Sequence, residues 1–108
     1  MAGEITAQEL RERLSSRNAD IHPITIIDVR LAQIGKIPGA RHVPVTDLED
    51  KEWDWDPDSE MVVYCQFGKG GSDYAAEVLE EQGYRKVYKL VGGMDSWAKL
   101  VSEAQKDV

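Results

Sequence analysis

The sequence predicts an α/β domain built on a central, mostly parallel sheet, and two observations carry that prediction. Short apolar, β-branched runs, "PITIIDV" (23–29), "EMVVYC" (60–65) and "KVYKL" (86–90), read as strands too short to be ordinary helices. Helical patterns alternate with them, at 6–16, 72–84 and 92–105. Strands separated by helices imply crossover connections, which join parallel neighbours and place helices against the sheet.

Taken in order, "TAQELRERL" sets Thr6 three residues before Glu9, the spacing of a capping box, and puts Leu10 and Leu14 on one face. A first helix over 6–16 follows. "PITIIDV" is apolar on both faces and is expected at the centre of the sheet. "KIPGARHVP" (36–44) turns at Pro38 and Gly39 and runs extended through Val43. Thr46 and Glu49 repeat the capping spacing, predicting a brief helical turn. The acidic "WDWDPDSE" (53–60) reads as a surface connection whose Trp53 and Trp55 cover the core edge. In the helix over 72–84, Ala75, Ala76, Val78 and Leu79 form the apolar face and Gly83 the C-terminal cap. In the last helix Met94, Trp97, Leu100 and Val101 share one face.

At 108 residues and 42% hydrophobic, the chain suits one domain over 1–108 with a real core. A net charge of −7 argues against a nucleic-acid surface and against long-range attraction of anions. One cysteine excludes an internal disulfide, and with only His22 and His42 beside it a structural metal cluster is not expected. No run approaches the ~20 apolar residues of a membrane span, and "MAGEITAQEL" is no export signal. The expectation is a cytoplasmic protein, monomeric and without metal, where a lone thiol stays reduced.

That thiol, Cys65, ends a predicted strand and precedes "QFGKGG" and a helix beginning near Ser72. In a parallel sheet, ligands bind beyond the carboxyl ends of the strands. A helix N-terminus there favours thiolate over thiol and offers N–H groups to an oxyanion or a persulfide. Gly68, Gly70 and Gly71 let a loop curl its amides inward, and Lys69 is the loop's one cation. The order of residues does not match the P-loop G-x-x-x-x-G-K-[ST]. Residue type and position leave two readings open: a nucleophile in an anion-holding loop, or a small buried side chain before a turn.

Together these stretches resemble the rhodanese-like domain family. "IIDVR", "IPGARHVP" and "MVVYCQFGKGGSDYAAEVLEEQGYRKVYKLVGGMDSW" follow the family's order from about residue 5 to residue 101. The resemblance implies a mostly parallel five-stranded sheet flanked by helices on both faces, and sulfur transfer through a persulfide without an organic cofactor. Cys65 then corresponds to the sulfur-accepting nucleophile, and Gln66, Phe67, Gly68, Lys69, Gly70, Gly71 and Ser72 to the loop that surrounds its substrate. Asp28 and Arg30 match a structural D-x-R element, read as an ion pair. The implied partners are a small anionic or persulfide sulfur donor and a thiol acceptor, including a sulfur-carrier or redox protein.

Two departures stand out. The family loop reads C-x-x-G-x-R-S, whereas here Ser72 lies seven residues after Cys65 and Gly71 takes the arginine's place. Extra length is reminiscent of phosphatase-like and arsenate-reducing relatives, but those keep the bidentate arginine. The segment "LAQIGK" is also shorter than usual, with Lys36 where the family has histidine. Sulfurtransferase is therefore the leading expectation, beside a non-catalytic interaction or sensing module and a phosphatase or arsenate reductase. His42 is read as an edge histidine and His22 as exposed; Phe67, projecting from the loop, and Tyr74 are candidates for the mouth of the pocket, with helix packing the alternative for Tyr74.

Overall fold

The computed structural model describes residues 2–15, 24–31, 35, 37–48, 50, 53, 55–68 and 70–106. Through them run β1 (Gly3–Ile5), α1 (Ala7–Ser15), β2 (Ile24–Asp28), β3 (Arg41–His42), α2 (Val45–Leu48), β4 (Glu60–Tyr64), α3 (Gly71–Glu81), β5 (Lys86–Leu90) and α4 (Gly93–Lys106). The five strands form one sheet in the order β1-β5-β4-β2-β3. Every pairing is parallel, so the sheet is wholly rather than mostly so.

The period-two alternation of the strands divides the core into two layers. Ile27, Met61, Val63, Cys65 and Val87 pack with Leu48 of α2 and with Ala75, Ala76, Val78 and Leu79 of α3. Ile26, Val62, Tyr64 and Leu90 pack with Ala7 and Leu10 of α1 and Trp97 of α4. Helices therefore cover both faces. Both Val62 and Val63 are fully buried, which explains why β4 reads as an unbroken apolar run. Truncating one such residue, Leu79, to alanine would cost about 2–5 kcal/mol.

Local chemistry sets the element ends. Thr6 and Glu9 form the reciprocal capping box, each backbone N–H meeting the other's side-chain oxygen at 3.1 Å. At the end of α3 the Gly83 amide donates to Glu80 O (3.0 Å) and the Tyr84 amide to Leu79 O (3.1 Å). This is the doubled C-terminal motif that glycine favours, with buried Tyr84 following it. Trp53 and Trp55 stack at 4.9 Å and pack against the α3-side core, as expected of an edge cover.

β2 is an interior strand paired on both sides, as expected of a run buried on both faces, and β4 is the middle strand. α2 begins at Val45 with its first bonds to Pro44 O, so Thr46 lies inside the turn instead of capping it; Glu49 is outside the described residues. β1 was not foreseen: three residues that pair with β5, Ile5 among them buried in the core. Helix α1 runs Ala7–Ser15, and residue 16 of the predicted span lies outside the described residues.

Candidate active site

Cys65 stands one residue past the carboxyl end of the middle strand. The alternation of β4 sends it to the α3 side, where it is 8% exposed. Its Sγ–H donates to the buried Ser72 hydroxyl in the first turn of α3 at 3.4 Å. A methyl group placed on Gly71 would lie 3.7 Å from Cys65 Cβ, an ordinary contact, so the helix starts directly beside the sulfur-bearing residue. The macrodipole of an 11-residue helix puts partial positive charge at this end. Asp73 supports the start of α3 by accepting from Gly70 N–H at 3.4 Å. It also pairs with Lys89 Nζ at 2.9 Å, the main reason its carboxyl lies below its ordinary value.

A second helix holds the loop from the other side. The amides of Met94 and Asp95, in the first turn of α4, donate to the carbonyls of Cys65 and Gln66, both at 2.9 Å. Backbone thus packs directly on backbone. Gly93, at φ 60°, has no room for a Cβ, which would collide with Cys65 O; Gly68, at φ 79°, would bring one to 2.7 Å from Gly92 N. This buttress was not anticipated. Its signal was the glycine pair in "KLVGGMD", which marks a close backbone approach as well as a helix start.

Asp28 and Arg30 form the predicted ion pair. Arg30 Nε and NH2 meet the two carboxylate oxygens at 2.9 and 2.7 Å, and Asp28 is fully buried. The bond to Asp28 holds the Arg30 proton more tightly than usual. The guanidinium lies 5.7 Å from the centre of the Tyr64 ring, and its NH2 also reaches Gly35 O at 2.9 Å. Burial pushes the Tyr64 phenol up to about 12. Arg30 NH1 then crosses to Gln66 Oε1 at 2.9 Å, linking the end of β2 to the cysteine loop, a contact sequence reasoning missed.

Phe67 is 64% exposed, Gln66 and Gly70 are exposed, and Lys69 is outside the described residues, as are Lys36 and His22. Tyr74 is 45% exposed, more than a packing residue needs. His42 is exposed on β3 and its Nε2 lies 2.7 Å from Arg30 O. The described residues contain no cluster of His, Cys, Asp and Glu able to hold a metal ion, and no helix long and apolar enough to cross a membrane. A hollow lined by Glu4, Glu9, Arg13, Ile24 and Glu60 sits toward the amino ends of β2 and β4, away from Cys65. Its carboxylates suit no anionic donor.

A buried cysteine just past the middle strand, flanked by two helix starts, belongs to a recognisable class. The rhodanese-like domain matches residues 6–100, and the chain belongs to that family. It is 33% identical to a sulfurtransferase of Allochromatium vinosum, over 92% of this chain and 91% of that one. It is 29% identical to a Bacillus subtilis protein provisionally named sulfur carrier protein YrkF, covering 87% of this chain and 50% of the relative, so the chain spans half of that protein. The crystal structure of a rhodanese-related protein from Thermoplasma volcanium superposes with a TM-score of 0.72 at 25% identity, over 91% of this chain and 92% of that one. These relatives support a sulfurtransferase-type function.

Proposed function

We propose that this chain is a single-domain sulfurtransferase that carries sulfur as a persulfide on Cys65. The observation that carries this reading is the position of Cys65 beside Ser72, at the meeting of the β4 end and the α3 start, in a chain of this family. The Cys65 thiolate attacks the outer sulfur of the donor. One S–S bond forms and one breaks, and the electron pair leaves with sulfite from thiosulfate, or with a thiolate from a persulfide. Cyanide or an acceptor thiolate then takes the outer sulfur and regenerates the Cys65 thiolate. Splitting the transfer in two lowers each barrier, and no metal or organic cofactor takes part.

In the thiolate and persulfide states the Ser72 hydroxyl becomes the donor to sulfur, and the loop from Gln66 through Ser72 surrounds the bound donor. With Gly71 in place of an arginine, the loop lacks a bidentate clamp for a dianion. Neutral or singly charged persulfide donors then suit this acidic protein better than thiosulfate does. Exposed Phe67, with Leu31 at 74% and Val91 at 42%, gives the carboxyl edge of the sheet apolar contacts for a small sulfur-carrier or redox protein. A reducing cytosol keeps the Cys65 thiol reduced, and a monomer leaves this edge open.

Thiocyanate formation from thiosulfate and cyanide, compared between wild type and Cys65→Ser, tests the reading. Activity in the wild type alone is expected. Equal rates in both proteins would remove Cys65 from the reaction.

A further inference from the structure

Resting on the proposed sulfur transfer, we infer that Arg30 is a positioning residue that turns the NH2 end of the Gln66 side chain toward the anionic sulfur donor. A guanidinium only donates, so the Gln66 atom 2.9 Å from Arg30 NH1 is the carbonyl oxygen. The opposite end of the same carboxamide is then a pair of N–H donors on an exposed residue directly after Cys65.

Arg30 itself cannot serve as the clamp. Its Nε and NH2 are taken by Asp28, NH2 also by Gly35 O, and its side chain is only 9% exposed. The Tyr64 ring lies 5.7 Å from its charged centre and helps hold the guanidinium plane. Gln66 is pinned at its backbone too, because its carbonyl accepts from the Asp95 amide at 2.9 Å. With side chain and main chain both fixed, the carboxamide loses little rotamer entropy on meeting a donor. A loop lacking arginine thereby gains two neutral, preorganised N–H groups, which bind an anion without a second bare charge.

The test is single-turnover persulfide formation on Cys65 as a function of thiosulfate concentration, read by intact mass, which separates the dissociation constant from the transfer rate. Gln66→Met is expected to weaken thiosulfate binding about tenfold, and Gln66→Glu, which keeps an oxygen for Arg30 but has no N–H, by more. Arg30→Lys, which loses the fork, is expected to weaken binding several-fold. Combined with Gln66→Met it adds nothing further, as for residues acting through one contact. Thermal unfolding of the Gln66 variants should match wild type, separating binding from folding. Unchanged dissociation constants in both Gln66 variants, or independent multiplication of the Arg30 and Gln66 effects, would overturn the positioning role while leaving sulfur transfer standing. A wild type that forms no persulfide with thiosulfate or with a low-molecular-weight persulfide would instead overturn the proposed function and this inference with it.

Discussion

The Met94 amide donates to the Cys65 carbonyl at 2.9 Å, so the residue bearing the sulfur is held by α4 as well as by the start of α3. Two helices from opposite faces of the sheet converge on one peptide.

Replacing Gly93 by alanine puts a methyl group into Cys65 O and forces φ 60° on a residue that resists it. The strain alone is worth about 1–3 kcal/mol, and the loop must shift as well. Gly93→Ala is expected to lose at least about 2 kcal/mol in urea unfolding. Gly71→Ala, with only ordinary contacts at 3.7 and 4.0 Å, should be neutral or slightly stabilising. Equal losses in the two variants would show that the close approach at Gly93 does not constrain the loop.

Ser72 is fully buried 3.4 Å from the sulfur. Ser72→Ala leaves the packing nearly intact, so stability should change by no more than about 1 kcal/mol. Persulfide formation should slow about tenfold, the scale of a hydrogen bond to a charged acceptor. Stopped-flow single turnover measures this directly, and an unchanged rate would assign Ser72 to packing alone.

The Asp28–Arg30 pair is buried and bidentate. Arg30→Met leaves the Asp28 carboxylate without its counter-charge and is expected to cost about 3–5 kcal/mol. A loss under about 1 kcal/mol in urea unfolding would mean that Asp28 is satisfied by other groups.

Asp73 titrates below its ordinary value, chiefly through the hydrogen bond from Lys89. A depressed carboxyl stabilises the folded state above its unfolded pKa, and that contribution disappears as pH falls through the folded value. The Asp73 side chain is 54% exposed, so solvent limits the effect to under about 1 kcal/mol. Wild type should exceed Asp73→Asn in stability at pH 7, and the two should converge in acid, once the pH has fallen through the lowered folded-state value of Asp73. A difference that persists in acid would point to the N-terminal cap of α3 and away from charge.

Much of this architecture was legible because burial wrote it into residue type. β2, β4, β5, α3 and α4 each bury enough apolar side chains to leave a run or a 3.6-residue period. β1 and β3, at three and two residues, are too short to carry either pattern and exist through pairing at the sheet edges. The candidate nucleophile was legible from the strand-to-glycine transition at Cys65. Its supports were not: Arg30 and Gln66 lie 36 residues apart, and their contact depends on the parallel pairing of β2 with β4. The Gly93 approach likewise depends on backbone meeting backbone, which leaves only a glycine pair as its trace.

A persulfide on Cys65 is read from intact mass after incubation with thiosulfate or with a low-molecular-weight persulfide. Wild type is expected to gain the mass of one sulfur atom and to lose it on adding cyanide, with Cys65→Ser unchanged throughout. No gain with either donor, or the same gain in Cys65→Ser, would mean that Cys65 does not carry sulfur as a persulfide.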